Sequence, residues 1–145
     1  MSEKHISDYL AYLVAHAHRK LHGQLERSLQ AESVSVEQWR MLEILSDGEG
    51  RSMGEIADLA LMNHPALTKM TDRMVARGLV HRAPDASDQR RVLVFLTDRG
   101  TETVKRVRAH VESHNAEIEE HLGPRETARL RKLLDSVISH DIASE

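Results

Sequence analysis

The fold of this chain is decided by residues 51–97, which read RSMGEIADLALMNHPALTKMTDRMVARGLVHRAPDASDQRRVLVFLT. Ser52 and Glu55 have the spacing of a capping box, which predicts that a first helix begins there. Asn63 is a good helix cap, and Pro65 fits the first turn of a second helix, where its missing N–H is not needed. Gly78 predicts the end of that helix. Two short helices therefore follow one another closely.

Both helices carry an apolar face at helical spacing, and these faces are expected to pack inward. The residues predicted to face the core are Ile56, Ala57, Leu59, Ala60, Leu67, Met70 and Met74.

A β-hairpin is predicted directly after the second helix. Residues 79–83 and 91–96 have the composition of strands, and the polar run at 84–90 has the composition of a turn. The resulting fold class is mainly α with a small β-hairpin wing, that is, a winged helix-turn-helix. In such folds the second helix enters the major groove of DNA, and the hairpin reaches the neighbouring backbone or minor groove.

The same residues are similar to the MarR family of bacterial transcription regulators. The most specific part is the wing, in which Asp88-x-Arg90-Arg91 is followed by four apolar residues, Leu96-Thr97 and Gly100. The other matching segments are Glu55-Ile56-Ala57, Leu67-Thr68-Lys69, Asp72-Arg73-Met74 and Arg77-Gly78-Leu79-Val80. The resemblance implies a dimer with intertwined terminal helices that binds DNA.

The exposed side of the second helix supplies the candidate DNA contacts. His64, Pro65, Thr68 and Lys69 lie on the side expected to meet base edges and phosphates. The alternative is an ordinary solvated helix face. Arg73 lies further along the helix and is expected to contact a phosphate or to form an internal ion pair.

The wing tip supplies the sharpest candidate, Arg90. An arginine on a narrow loop suits insertion into the minor groove. Asp88 could orient its guanidinium by charge-assisted hydrogen bonds, and the resemblance assigns these roles to the family's Asp-x-Arg motif. Arg91 is expected to add a phosphate contact.

Composition limits the remaining possibilities. The chain has 145 residues, enough for one domain with a core of its own, and it has no cysteine, which excludes disulfides and thiolate metal sites. It has no apolar run of about 18 residues and no signal-peptide pattern. We therefore expect a soluble cytoplasmic protein that does not use a membrane as a partner.

Charge is distributed unevenly along the chain. The net charge is −3, but residues 51–91 hold seven Lys or Arg against five Asp or Glu. The predicted winged helix is thus the least acidic part of an acidic protein, which suits specific docking on phosphates better than general adhesion to nucleic acid.

Long amphipathic helices are predicted on both sides of the winged helix, at 6–29, from 98 to about 121, and after Gly123-Pro124. Thr97 is expected to cap the second of these. A shorter helix is predicted at 36–46, where Ser35 and Gln38 have the spacing of a second capping box. The predicted organisation is an N-terminal dimerisation helix (1–34), a DNA-binding winged helix-turn-helix (35–97) and C-terminal dimerisation helices (98–145), in one integrated domain. A homodimer through residues 6–30 and 100–141 would bind a pseudo-palindromic double-stranded operator. The alternative is a monomeric helical bundle.

Four residues of the first two long helices are candidates for a small-molecule site. Tyr12 and Trp39 are expected to serve in core or dimer packing, but family members often bind small aromatic or phenolic anions near these helices. His16 or Arg40 could then pair with a carboxylate.

Ten histidines are an unusually high number for this length. His110 and His114 have the four-residue spacing that metal sites use on helices, although such pairs are common by chance. We expect neither a metal nor another cofactor. The alternative is a zinc-responsive regulator that uses the histidines of the first and fifth helices.

These patterns predict a dimeric regulator, a repressor by the family's habit, that leaves its operator when a small ligand binds. An enzyme is not expected, because no phosphate-binding glycine loop and no supported nucleophile–base arrangement is present.

Overall fold

The computed structural model describes residues 3–140, and within them the fold is mainly helical with one two-stranded hairpin, as predicted. The helices are α1 (Leu10–Leu29), α2 (Val36–Ile44), α3 (Met53–Ala60), α4 (His64–Ala76), α5 (Asp98–Leu122) and α6 (Pro124–Ser139), the strands are β1 (Val80–Pro84) and β2 (Val92–Leu96), and two 3-10 helices span Ile6–Asp8 and Gln30–Glu32. None of the helices in this part of the chain is long and apolar enough to cross a membrane.

The predicted helix caps are confirmed. The hydroxyl of Ser35 accepts the Gln38 N–H at 3.0 Å, and the Gln38 side chain accepts the Ser35 N–H at 3.1 Å. Ser52 and Glu55 make the same reciprocal pair at the start of α3. The Asn63 side chain caps α4. These caps satisfy backbone donors that have no partner within the helix.

The first helix begins later than predicted. The prediction placed its start at Ile6, but Ile6–Asp8 is a single 3-10 turn, Tyr9 is extended, and α1 starts at Leu10. The side chains of His5 and Asp8 form a capping box around that turn, with the His5 N–H donating to Asp8 at 2.8 Å. Such local side-chain bonds compete with helix continuation.

One buried cluster forms the core, and Leu59 is absent from it, against the prediction. Its side chain is 57% exposed, whereas Ile56, Ala57 and Ala60 are buried. Successive residues of a helix are separated by roughly 100° around its axis, which puts Leu59 about a quarter turn away from the centre of the buried face. Only that one face of α3 packs against the core. The core residues are Leu25, Leu29, Val34, Val36, Met41, Leu42, Leu45, Ile56, Ala57, Ala60, Leu67, Met70, Met74, Leu79, Val80, Val94, Val104 and Val107.

The hairpin is held to the helices by a third, one-residue strand. β1 and β2 pair antiparallel, from Val80 opposite Leu96 to Pro84 opposite Val92. Arg51 pairs with Val94 on the other side of β2, through backbone bonds of 2.8 and 3.1 Å. The sequence gives no sign of this bridge, because a single residue has no periodicity.

The base of the hairpin meets the start of α5 in a tight backbone contact. The Thr97 hydroxyl donates to the Gly78 carbonyl at 2.6 Å and accepts the Gly100 N–H at 3.0 Å, which confirms the predicted cap. A Cβ built on Gly100 would lie 2.1 Å from the Leu79 carbonyl oxygen. Only glycine therefore allows this approach.

The described chain forms two compact units, residues 3–111 and 112–140, with the boundary inside α5. The core lies in the first unit. In the second unit, α6 has no buried residue. The predicted domain boundaries after residues 34 and 97 stay a prediction, and residues 1–2 and 141–145 of those domains lie outside the described part.

Gly100→Ala is expected to destabilise the fold by about 3 kcal/mol, because its methyl group would meet backbone that cannot rotate away. Urea unfolding at fixed protein concentration measures the change. The matched control is Gly23→Ala in α1, where the added Cβ meets only the end of Arg27 at 3.6 Å. That change should stabilise by up to about 1 kcal/mol through helix propensity. Equal effects at both positions would contradict the role given to Gly100.

Candidate nucleic-acid interface

The exposed face of α4 carries the predicted contact residues together. His64, Pro65, Thr68, Lys69 and Arg73 are all exposed. The opposite face holds the buried residues Leu67, Met70, Thr71 and Met74. Packing of that buried face fixes the rotation of α4, and the polar side is consequently turned to solvent.

The cations on α4 are not neutralised. Within the described residues, neither Lys69 nor Arg73 forms an ion pair, so the internal pair considered for Arg73 is not present. Asp72, on the same helix, instead binds Arg82 of β1 at 2.7 Å. This pair links α4 to the wing and leaves Lys69 and Arg73 available for an external anion.

The wing tip is an ordered polar turn. The carboxylate of Asp85 accepts both the N–H and the hydroxyl of Ser87, at 3.0 and 2.9 Å. The Asp88 N–H bonds to the Asp85 carbonyl, and the Arg91 N–H bonds to the Asp88 carbonyl. These bonds fix the backbone on both sides of Arg90.

Arg90 stands at the most exposed point of this turn, with 92% of its side chain accessible. One carboxylate oxygen of Asp88 accepts both the N–H and the Nε–H of Arg90, each at 3.1 Å. The predicted orientation of Arg90 by Asp88 is thus seen in the structure. The terminal Nη groups of Arg90 have no partner in the described chain and can bind an outside acceptor.

Arg91 occupies a different environment from the one expected for a phosphate contact. Its guanidinium lies 3.2 Å from Glu55 of α3 and 3.7 Å from Asp85 of the turn. Two carboxylates of this chain therefore compete with any phosphate for Arg91. The structure places Arg91 as a link between the wing and the start of α3.

Both partners of Arg91 have lowered pKa values. Hydrogen bonds from the Ser52 side chain and backbone hold the pKa of Glu55 below its usual range, and the nearby charges of Arg91 and Arg51 add to this. Hydrogen bonds from the Ser87 backbone and side chain lower the pKa of Asp85. Both carboxyl groups therefore stay ionised at neutral pH and keep Arg91 paired.

Ion pairs within the winged helix determine which of its cations can bind an external anion. The carboxylates of Glu55, Asp72, Asp85 and Asp88 each bind an arginine within the winged helix. Three exposed cations keep donors that are free to bind an external group. Lys69 and Arg73 lie on the exposed face of α4, and Arg90 lies at the wing tip.

The four residues suggested for a small ligand fall into two groups. Tyr12 and His16 are exposed neighbours on α1, with ring centroids 5.8 Å apart. Trp39 and Arg40 lie on α2, where the indole donates to Glu43 at 3.3 Å and Arg40 donates to the Ala60 carbonyl at 3.4 Å. No hydrogen bond, ion pair or ring contact in the described chain joins the two groups. An open pocket of about 380 Å³ within the second unit is lined by Glu119, Glu120, Pro124, Thr127, Ala128 and Arg131.

His110, one of the two candidate metal ligands on α5, has both a carboxylate and a cation as neighbours. His110 bonds to Glu32 at 3.3 Å, and the guanidinium of Arg106 binds the same carboxylate at 3.1 Å. A cation next to the carboxylate disfavours a second cation there. His114 lies one turn further along α5, beyond the boundary between the two compact units.

The sequence of the winged helix is similar to that of a known protein family. The model of the MarR family matches residues 33–91, from the loop before α2 to the wing tip. The HTH-type transcriptional regulator FarR of Neisseria gonorrhoeae is 30% identical over 81% of each chain. The chain belongs to the MarR family of transcription regulators. Its winged helix is therefore the DNA-binding element of this family, as the resemblance implied.

Solved MarR-family structures share the fold over nearly the whole chain. The repressor CouR bound to a 23-mer DNA duplex is 26% identical, with a TM-score of 0.84, and the match covers 94% of this chain and 99% of CouR. NadR in complex with 4-hydroxyphenylacetate is 27% identical, with a TM-score of 0.78, and the match covers 97% and 99%.

Glu43→Gln is expected to flatten the dependence of stability on pH. Hydrogen bonds from Arg108, at 3.1 and 2.7 Å, are the main cause that holds the pKa of Glu43 below 4.5, against the opposing effect of partial burial. A lowered folded-state pKa contributes stability that is present above 4.5 and lost as the pH falls through the folded value. Urea unfolding between about pH 6 and about pH 3 measures this loss.

The matched control for this experiment is Glu49→Gln, which changes an exposed carboxylate that has no ion pair within the described residues. The free energy of unfolding of this variant should change with pH as steeply as that of the wild type. If the free energy of unfolding of Glu43→Gln depends on pH as steeply as that of the wild type, the pair of Glu43 with Arg108 is not formed in solution.

Proposed function

We propose that this protein is a dimeric repressor that occupies a pseudo-palindromic operator and is released by a small ligand. The observation that carries the proposal is Arg90, which is exposed at the wing tip, oriented by Asp88 and free at its Nη groups. A protein-interaction module has no need for an oriented arginine on a protruding turn.

The two parts of the winged helix have different roles in this proposal. α4 enters the major groove, where His64, Thr68 and Lys69 face base edges or phosphates. Pro65 has no N–H and makes an apolar contact, for example with a thymine methyl group. The remaining candidates act at the margins of the site: Arg73 and, more weakly, Arg91 at phosphates, and Arg90 in the minor groove.

The homodimer is proposed from exposed apolar side chains at both ends of the chain. Solvent-exposed apolar patches of this kind mark interaction surfaces. On the N-terminal side they are Ile6, Tyr9, Leu10, Tyr12, Leu13, Val14 and Leu21, and on α6 they are Leu130, Leu133, Leu134, Val137 and Ile138. Two-fold symmetry would set the two half-sites of the operator about one helical turn apart.

The proposed effector is an aromatic or phenolic anion. Support comes from NadR, whose structure contains 4-hydroxyphenylacetate. In this chain Arg40 or His16 would pair with the carboxylate, and Tyr12 and Trp39 would contact the ring. Release requires that the ligand bind more tightly to the dimer geometry that does not fit DNA.

The remaining features of the proposal follow from membership of this family. The protein acts in the cytoplasm, where its operator is, and it works by binding without catalysing a reaction. DNA binding and dimerisation need no cofactor in this scheme.

Arg90→Ala is expected to weaken operator binding by about 1–3 kcal/mol, because the oriented guanidinium no longer enters the minor groove. The operator is first selected from a random pool of duplexes at about 150 mM salt. Fluorescence anisotropy then gives the affinity at several salt concentrations. Urea unfolding should be unchanged, because Asp88 is the only residue within 3–140 to which the Arg90 side chain bonds.

The matched control is Lys105→Ala, which removes one exposed positive charge from α5, outside the winged helix. Its affinity for the operator should stay close to that of the wild type. Equal losses in the two variants would indicate a general charge effect, and an unchanged affinity of Arg90→Ala would contradict the minor-groove role.

Leu133→Asp is expected to raise the dissociation constant of the dimer at least about a hundredfold, because each of the two copies loses about 1.5–3 kcal/mol of apolar burial. Sedimentation velocity over a range of protein concentrations measures this shift. The matched control is Leu59→Asp on α3, since Leu59 and Leu133 are 57% and 59% exposed. A wild-type protein that sediments as a monomer would exclude the proposed dimer.

A further inference from the structure

Three side chains that can bind a metal ion meet where α1 packs against α2. His22 and Glu26 lie one turn apart on the same face of α1, and Glu37 lies in the first turn of α2. One ligand atom from each of them lies within 4.8 Å of the other two. All three residues are partly buried, so the group is neither a loose surface cluster nor sealed from solvent.

We propose that His22, Glu26 and Glu37 form a binding site for one divalent transition-metal ion, such as Zn²⁺, which joins α1 to α2. This site goes beyond the proposed function, since it involves none of the proposed DNA-contact residues and none of the residues suggested for an aromatic ligand. It also differs from the α5 histidines that the sequence put forward.

The donor atoms suit such an ion. Zinc binds imidazole nitrogen and carboxylate oxygen at about 2.0–2.2 Å, and open sites use three protein ligands with water in the fourth position. Tetrahedral ligand atoms would then lie roughly 3.4 Å apart. His22 Nε2 and Glu37 Oε2 are now 2.7 Å apart, so small side-chain rotations would bring the three atoms to this spacing.

Glu26 is already held in place for this role. Its Oε1 accepts the Val36 N–H at the start of α2, at 2.7 Å. This bond leaves the second carboxylate oxygen free to bind a metal. Ordering of a ligand by a bond to the backbone is the usual way in which proteins prepare a metal site.

The charge of the group also favours a cation. Glu26 and Glu37 bring two carboxylate groups to the site, and their number matches the charge of one divalent ion.

A second histidine–glutamate pair in the same unit provides an internal comparison. At His110 and Glu32 the third group is the guanidinium of Arg106, 3.1 Å from the carboxylate. At His22 and Glu37 the third group is the carboxylate of Glu26. Both pairs join an imidazole to a carboxylate, but only the pair of His22 and Glu37 has a third group with the charge and donor atom that a metal requires.

Titration of untagged protein with Zn²⁺ in competition with a chromophoric chelator tests the proposal. The wild type should bind one Zn²⁺ per chain. Glu26→Gln and Glu37→Gln should each weaken binding at least tenfold, while the control Glu32→Gln should stay within twofold of the wild type. Glutamine keeps the shape of glutamate and can still accept the Val36 N–H, and circular dichroism of the metal-free variants verifies the fold.

X-ray absorption at the zinc edge identifies the ligands directly. The expected spectrum has nitrogen and oxygen neighbours only, with outer-shell scattering from a single imidazole. Two or more imidazoles, a loss of binding in Glu32→Gln, or unchanged binding in Glu26→Gln would each overturn the proposal. Absence of a Zn²⁺ complex in the wild type would do the same, and none of these results bears on operator binding by the winged helix.

Discussion

The close approach of the Leu79 and Gly100 backbones is the constraint on which the geometry of the winged helix depends. α4 ends at Ala76, β1 begins at Val80 and α5 begins at Asp98, so three elements meet within this contact. Thr97 closes it by donating to the Gly78 carbonyl and accepting the Gly100 N–H. Because backbone meets backbone, no side-chain rotation can change the spacing. The separation between α4 and the base of the wing is fixed as a result.

The placement of charge within the winged helix matters more than its net value. Arg82 binds Asp72 and thereby ties the wing to α4, and Arg91 binds Glu55 and ties the wing to α3. Exposed ion pairs contribute little stability one by one, but here they determine which cations remain free. The free donors are consequently concentrated on one face of α4 and at the wing tip, where a DNA backbone could be met at two separate points.

Local features could be predicted from the sequence, and contacts between distant residues could not. The caps at Ser35, Ser52 and Asn63 and the orientation of Arg90 by Asp88 involve residues two or three apart, so spacing alone reveals them. Arg91 binds Glu55 across 36 positions, and only the folded chain brings them together. The prediction that Leu59 is buried was wrong. On a helix as short as α3, the apolar residues alone do not determine which face of the helix packs against the core.

α2 is held by directional contacts at both of its ends. Near its start, Glu37 bonds to His22 of α1 at 2.7 Å, and near its end Glu43 binds Arg108 of α5 through two hydrogen bonds. Apolar contacts can slide by small amounts, whereas such bonds weaken steeply when distance or angle changes. A displacement of α1 relative to Arg108 must therefore break one of these contacts or carry α2 with it. Since α2 packs on α3 and α3 packs on α4, a movement of α2 would reach α4 without any ligand touching it.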